Sequence, residues 1–243
     1  TDAIREACSI PITYPEVLEI VHIEQLIDWS YSIFKGVGYP LFAHIDTSLG
    51  GDRTGLAIGY HAHDGIHVPL AIAIQGSDKH YLSKIGATII KLVQRGVPVY
   101  MLTADRYQSY KLLQDISITT RVKTRVLSVD TDPRPYMTLK QNILNGYIKL
   151  PQSSILTREL SQLRLMITSA SRARIDHPIH GSKDLADAVA AVSFTAGEYV
   201  RSKPVPIETI TSYTERVIAK NLALQKGIAH RLWQVAPPST PNE

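Results

Sequence analysis

The chain has 243 residues, 44% of them hydrophobic, a length and composition that suit one large globular domain or one domain with appendages. Its 26 Lys and Arg against 22 Asp and Glu give a formal charge of +4, which permits a nucleic-acid partner without demanding one. The single cysteine, Cys8, excludes a disulfide framework, and no apolar run approaches the roughly 20 residues of a membrane span.

The opening stretch TDAIREACSIPITYPE has no signal-peptide pattern and no initiator Met, so the expectation is a cytosolic chain cut from something longer. Val17, Ile20, Ile23 and Ile27 have helical spacing and predict one helix over 15–34, broken by GVGYP. LFAHID (41–46) predicts a strand, and TSLGGDRTG a glycine-rich turn. LAIGYHAH and IHVPLAIAIQ predict two further strands joined at Asp64-Gly65, a type I′ hairpin signal. HYLSKIGATIIKLVQRG predicts an amphipathic helix ending at Gly96, followed by the buried strand VPVYMLTAD (97–105).

A helix over 106–116, a strand at RVKTRVLSV and helices at PYMTLKQNILNGYI and SSILTRELSQLRLMI come next, then an extended RARID and a helix from Leu185. After Arg201 the pattern weakens to a basic stretch around Arg216, Lys220, Lys226 and Arg231, and APPSTPNE reads as a disordered end. Hairpin strands followed by alternating helices and strands predict an α/β fold with a mixed sheet, antiparallel in the hairpins and parallel across the helical crossovers.

The chemistry lies where acids meet strand ends. Asp46 closes the first long strand and Asp105 closes VPVYMLTAD. Asp184 and Asp187 sit one turn apart on a helix whose Leu185, Ala188, Val189 and Val192 form an apolar stripe. Asp52 lies in the glycine turn. Three of the acids also have a plainer reading. Asp105 with Gln108 matches a helix-capping pattern. Asp184 suits a helix macrodipole behind a Ser182 cap, and Asp52 suits a turn. Asp187, among alanines, and Asp46, ending an apolar strand, have no such explanation. Carboxylates gathered in one cleft raise each other's pKa and must either protonate or bind cations. An all-oxygen set favours Mg²⁺ or Mn²⁺.

The histidines of HAHDGIH straddle a hairpin turn, which favours a solvated strand face over a zinc site. His177 and His180, just before the acid helix, are minor candidates for substrate contact. GGDRTG lacks P-loop spacing, and no P-loop occurs elsewhere in the chain, so the reading includes no ATPase motif.

FAHIDTSLGGDRTGLAIGY, VYMLTADRYQSYKLLQ, ILNGYIKLPQSSILTRELSQL and RIDHPIHGSKDLADAVAAV resemble, in order and spacing over most of 40–200, the C-terminal nuclease domain of tailed-phage large terminases. The resemblance implies a ribonuclease-H-like fold and a two-metal endonuclease that cuts double-stranded viral DNA concatemers during genome packaging. It assigns Asp46 and Asp105 as the first and second metal-binding acids and Asp187, with Asp184 as neighbour or alternative, as the third. Asp52 matches an accessory metal acid. Arg53, Arg106 and Lys183 flank the acids and are candidates to hold DNA phosphates, against the plain reading of solvated surface charge.

The implied cofactors are two ions, Mg²⁺ or Mn²⁺. The implied partners are double-stranded DNA, a packaging ATPase domain, a small terminase subunit and a portal, in the host cytoplasm and away from any membrane. In this layout 1–38 is a lead-in packed on the nuclease, 39–200 the nuclease and 201–243 a C-terminal tail. The rival readings are a Holliday-junction resolvase of the same fold and a non-catalytic docking module.

Overall fold

The computed structural model describes residues 2–47, 53–76, 80–105, 109–167, 173–177 and 182–202. Asp52, Arg106, His180 and the basic stretch beyond Arg201 lie outside the described residues. Within them, no helix is long and apolar enough to cross a membrane.

The sheet is mixed. Its core is the antiparallel meander β2 (Leu41–Thr47), β3 (Thr54–Ala62) and β4 (Gly65–Gln75). Beyond β2 lie the parallel strands β5 (Val99–Ala104) and β6 (Lys123–Val126). Two short strands, β1 (Val17–Glu19) and β7 (Ile148–Lys149), pair in parallel with β4 at different points along it. The order β1-β4-β3-β2-β5-β6 puts β2 and β5 side by side at the centre, so residues ending those two strands emerge together. Helices flank the sheet, as expected for an α/β fold.

Strand alternation sorts the side chains onto two faces. Leu41, Ala43 and Ile45 of β2 join Leu56 and Ile58 of β3 in one core with α2 (Gln25–Phe34), α3 (Tyr81–Gln94) and α4 (Ser109–Thr120). Phe42 and Ala57 point the other way. Their cluster includes residues of α5 (Arg134–Leu144), α6 (Ser154–Gln162), α7 (Asp184–Arg201) and, at the chain start, α1 (Asp2–Ala7). All residues of α7 from Leu185 to Gly197 are buried. The predicted stripe is thus only one side of a helix enclosed all round, because the cluster holds both sheet and helix residues.

Two glycines set how close α7 comes. A Cβ on Gly55 would run into the backbone carbonyl of Asp184, and one on Gly59 would lie 3.0 Å from Val192 Cγ1. Gly55 is also the register partner of Asp46, so this close backbone approach of α7 falls beside that acid.

Four local expectations need correction. The helix predicted over 15–34 is split: β1 joins the sheet edge, a 3₁₀ turn follows at Ile20–His22, and only Gln25–Phe34 is α-helical. Pairing of Val17 and Leu18 with Ala73 and Ile74 overrides local periodicity there. The helix expected through SSILTRELSQLRLMI ends at Gln162, where Leu163 turns extended and β8 (Arg164–Ile167) pairs with β9 (Ala173–Asp176).

The strand expected at RVKTRVLSV shrinks to Lys123–Val126, with Arg121 in a left-handed turn before it. In the hairpin, Ala62 pairs with Gly65, so His63 and Asp64 make the turn. The positive φ falls on Gly65 alone, not on two central residues as in type I′.

Gly55→Ala drives a methyl group into a helix backbone that cannot retreat, and is expected to lose about 1–3 kcal/mol in urea unfolding. Gly38→Ala, where an added Cβ meets nothing, should stay within about 0.5 kcal/mol of the parent. Equal effects from the two changes would disprove the close approach.

Candidate functional site

Asp46 is the penultimate residue of β2, and Asp105 follows the last residue of β5. Ile45 pairs with Ala104, and the Asp105 amide donates to Ile45 O at 3.4 Å, so the two acids leave the sheet on adjacent strands. Asp184 and Asp187 arrive from the first turn of α7, brought down by the contact at Gly55. Burial raises the Asp46 carboxyl well above the usual range, and the charges of Asp187, Asp184 and Asp105 push it further, against Lys183. The four acids singled out at 46, 105, 184 and 187 therefore share one electrostatic neighbourhood.

Asp187 is 4% exposed, and both of its oxygens are engaged. Oδ1 accepts a short hydrogen bond from the buried Tyr136 hydroxyl of α5. Oδ2 accepts from Lys183 Nζ at 2.6 Å. Burial lifts its carboxyl to about 6, although Lys183 and Tyr136 pull it down. Tyr136 is itself raised well above its ordinary value by burial and by the Asp187 charge.

Burial would lower Lys183, but Asp187 and a second acid, Asp130 at 2.5 Å, raise it. Lys183 is 6% exposed, so its ammonium turns inward to the acids. Asp184 is less enclosed. Burial raises it, while Ser182, Lys183, His177 and Arg53 act in the opposite direction. Arg53 thus stands near the acids as its position in the sequence implied.

The first turn of α7 is held by another helix. Glu159 of α6 is 3% exposed. Its Oε2 accepts the Ala186 amide at 2.8 Å, and its Oε1 lies 3.1 Å from Ser182 Oγ. Ser182 Oγ is equally close to Asp184 Oδ2, and Lys183 O accepts the Asp187 amide at 2.7 Å. The helix end expected to be capped by Ser182 is instead capped mainly by a carboxylate from α6, which offers a negative charge to the helix N-terminus. Burial nevertheless raises the Glu159 pKa.

Beneath Asp46, on the same strand, His44 is fully buried with Nδ1 2.8 Å from Thr103 Oγ1. Thr103 Oγ1 also donates to Ala43 O at 3.3 Å, which leaves it to accept from His44 Nδ1–H. Burial drops His44 to about 3 from 6.5, so the ring is neutral at ordinary pH.

Glu159, Tyr136, Asp130 and His44 were not singled out from the sequence. A signal existed for Glu159, which occupies the apolar stripe of Leu156 and Leu160 much as Asp187 occupies that of α7. Tyr136 reads as an ordinary core residue, and Asp130 sits in a loop with nothing local to connect it to α7. The histidines of HAHDGIH find other uses: His67 Nε2 contacts Asp64 Oδ1 at 2.8 Å and His61 Nε2 contacts Tyr147 OH at 3.1 Å.

Among the described residues, no three His, Cys, Asp or Glu side chains converge closely enough to hold an ion as they stand. The donor chemistry still fits hard cations. The set at Asp46, Asp105, Asp184 and Asp187 is all carboxylate oxygen, and burial with mutual repulsion leaves Asp46 in need of positive charge.

No protein-family model and no curated protein matches the chain. Solved structures do. The large terminase of bacteriophage HK97 aligns with a TM-score of 0.55 at 16% identity, over 80% of this chain and 42% of that one. The large terminase nuclease of thermophilic phage G20c aligns at 0.54 and 14%, over 65% and 82%. The nuclease domain of the large terminase subunit gp2 of bacterial virus Sf6 aligns at 0.51 and 11%, over 79% and 96%. At these identities the likeness establishes the fold, which is the ribonuclease-H-like mixed sheet implied by the sequence motifs.

Removing the Glu159 acceptors leaves a buried amide unpaired, so Glu159→Ala should cost about 1–3 kcal/mol. Hydrogen exchange at the Ala186 amide should quicken, and Glu159→Gln should restore part of both effects. An Ala186 exchange rate unchanged in the alanine variant would refute the cross-helix cap.

The pH dependence due to His44 follows from its lowered value. The unfolded chain takes up the proton first, so the stability due to neutral His44 is present above about 6.5 and is lost as pH falls toward about 3. His44→Leu should therefore show a shallower fall in melting temperature between pH 6.5 and 4 than the parent; parallel curves would exclude His44 as the cause.

Proposed function

We propose that this chain is the nuclease portion of a phage large terminase, an endonuclease that hydrolyses double-stranded viral DNA with two bound Mg²⁺ or Mn²⁺ ions during genome packaging. The observation that carries the reading is that Asp46 feels the charges of Asp187, Asp184 and Asp105 at the end of a sheet whose fold is shared with large-terminase nucleases. The G20c nuclease, which has that fold, has been solved with magnesium and with cobalt bound. In this reading 39–200 carries the chemistry, 1–38 is a lead-in and 201–243 a tail. A packaging ATPase domain, a small terminase subunit and a portal are its partners in the host cytoplasm.

Bound divalent ions would lower the pKa of an attacking water and stabilise the leaving 3′-oxygen of the phosphodiester. The chain's part is to present ionised oxygens at fixed positions. Asp46, whose carboxyl feels Asp187, Asp184 and Asp105 together, would hold the ions with Asp105 from the neighbouring strand and the acids of α7. Asp187 is the rigid member, locked by Tyr136, whereas the less buried Asp184 is freer to follow an ion or substrate. Asp52 is an accessory ligand. Arg53 and Arg106 bind phosphate oxygens and offset the approach of a polyanion to an acidic site.

Plasmid DNA incubated with the protein should be nicked and linearised in Mn²⁺ or Mg²⁺ and left supercoiled in EDTA. Asp46→Asn and Asp105→Asn should each cut at least about 100-fold more slowly with unchanged melting curves. At sub-saturating metal, activity should fall as pH is lowered and protons compete with the ions for the buried acids, Asp187 among them, and added metal should offset the fall. Supercoiled plasmid persisting in both metals would remove the enzyme reading in favour of a docking module, and a preference for four-way junctions over linear duplex would favour a resolvase.

A further inference from the structure

We propose that Lys183 is a resident counter-ion of the acid site, compensating Asp187 in the metal-free protein and withdrawing to Asp130 alone when a divalent cation takes that carboxylate. The inference rests on the nuclease reading above and extends it to how the empty site tolerates its own charge.

Three features of the geometry carry it. Lys183 Nζ bridges Asp187 Oδ2 at 2.6 Å and Asp130 Oδ1 at 2.5 Å, so the ammonium already has a second seat. The two seats differ in exposure: the Asp187 side chain is 6% exposed and that of Asp130 43%, so withdrawal moves the ammonium toward water. The backbone of Lys183 is fixed by the bond from its carbonyl to the Asp187 amide, so only the flexible stem needs to move.

The surroundings explain why a cation is required in the absence of metal. Asp187 is enclosed, its other oxygen is taken by Tyr136, and the acids Asp184 and Glu159 lie nearby. An uncompensated carboxylate in that position would be strongly disfavoured. An ion that binds Asp187 Oδ2 must therefore displace a hydrogen-bonded ammonium, and Lys183 competes with it. A lysine whose role was to hold DNA would instead keep its ammonium toward solvent.

Two variants move the competition in opposite directions. Lys183→Met keeps the apolar stem and removes the competitor, so Mn²⁺ titrated calorimetrically or followed by electron paramagnetic resonance should bind about tenfold tighter. The metal-free variant should melt below the parent and gain more from Mn²⁺ than the parent does. Asp130→Asn removes the exposed seat, pins the ammonium on Asp187, and should weaken Mn²⁺ binding several-fold. This second change is at a partly exposed loop and keeps the test decisive if Lys183→Met does not fold.

Mn²⁺ affinity unchanged in Asp130→Asn, or unchanged or lower in Lys183→Met, overturns the proposal. If Lys183→Met alters only the KM for DNA, Lys183 is a phosphate ligand and the proposal is equally overturned. The parent and Asp46→Asn separate this from failure of the nuclease reading. Mn²⁺ binding lost in Asp46→Asn but indifferent to Lys183 sinks the counter-ion alone, whereas a parent that neither binds Mn²⁺ nor cuts DNA sinks both.

Discussion

Burying a carboxylate in an apolar helix is the constraint around which this molecule is organised. Asp187 lies in a run of alanine and valine, almost shut off from solvent, and desolvation there opposes ionisation. The fold answers with groups drawn from separate parts of the chain. Tyr136 comes from α5, Lys183 from the turn that opens α7, and Asp130 from the loop after β6. None of these contacts is useful unless α7 lies flat against the sheet, and that depends on Gly55 leaving room for the Asp184 carbonyl.

The same contact links packing to chemistry. Gly55 faces Asp46 across the β2–β3 ladder, so the position that lets the helix in is also the one that sets its acids beside the strand-end acid. Glu159 then holds the helix end from α6, where the free amides need an acceptor. The site is rigid because its acids are attached to elements with other reasons to be fixed: two central strands and a helix enclosed on all sides. Preorganisation of this kind lets a cluster of like charges persist without collapsing outward into solvent.

Charge balance gives the site a direction of response. In the absence of metal, one buried ammonium stands against several acids, and Asp46 is driven toward its protonated form. A doubly charged ion changes that balance more than any side chain present can. Among the described residues, His177 offsets the Asp184 charge, whereas His44, below Asp46 on β2, is neutral and tied to Thr103.

Much of the architecture was legible in one dimension because strands and helices carry their periods in the sequence. The β2–β4 meander, α3 with its Gly96 stop, β5 and the apolar helix α7 all follow from alternation, 3.6-residue spacing and glycine punctuation. Asp46 and Asp187 were visible as acids where propensity offers little reason for acids, whereas Asp105 and Asp184 also fitted capping and macrodipole readings. Tertiary structure alone decided the rest. Strand pairing turned Val17–Glu19 from helix to sheet edge, and pairing with Ala173–Asp176 ended α6 early. Folding also gave Asp187 its partners, because Asp130, Tyr136 and Glu159 lie far from it along the chain and their side chains meet it or its helix only once α5, α6 and the loop after β6 close around α7. A sequence records which residues are charged and at what spacing, but compensation of a buried charge depends on distance in space, and that exists only after folding.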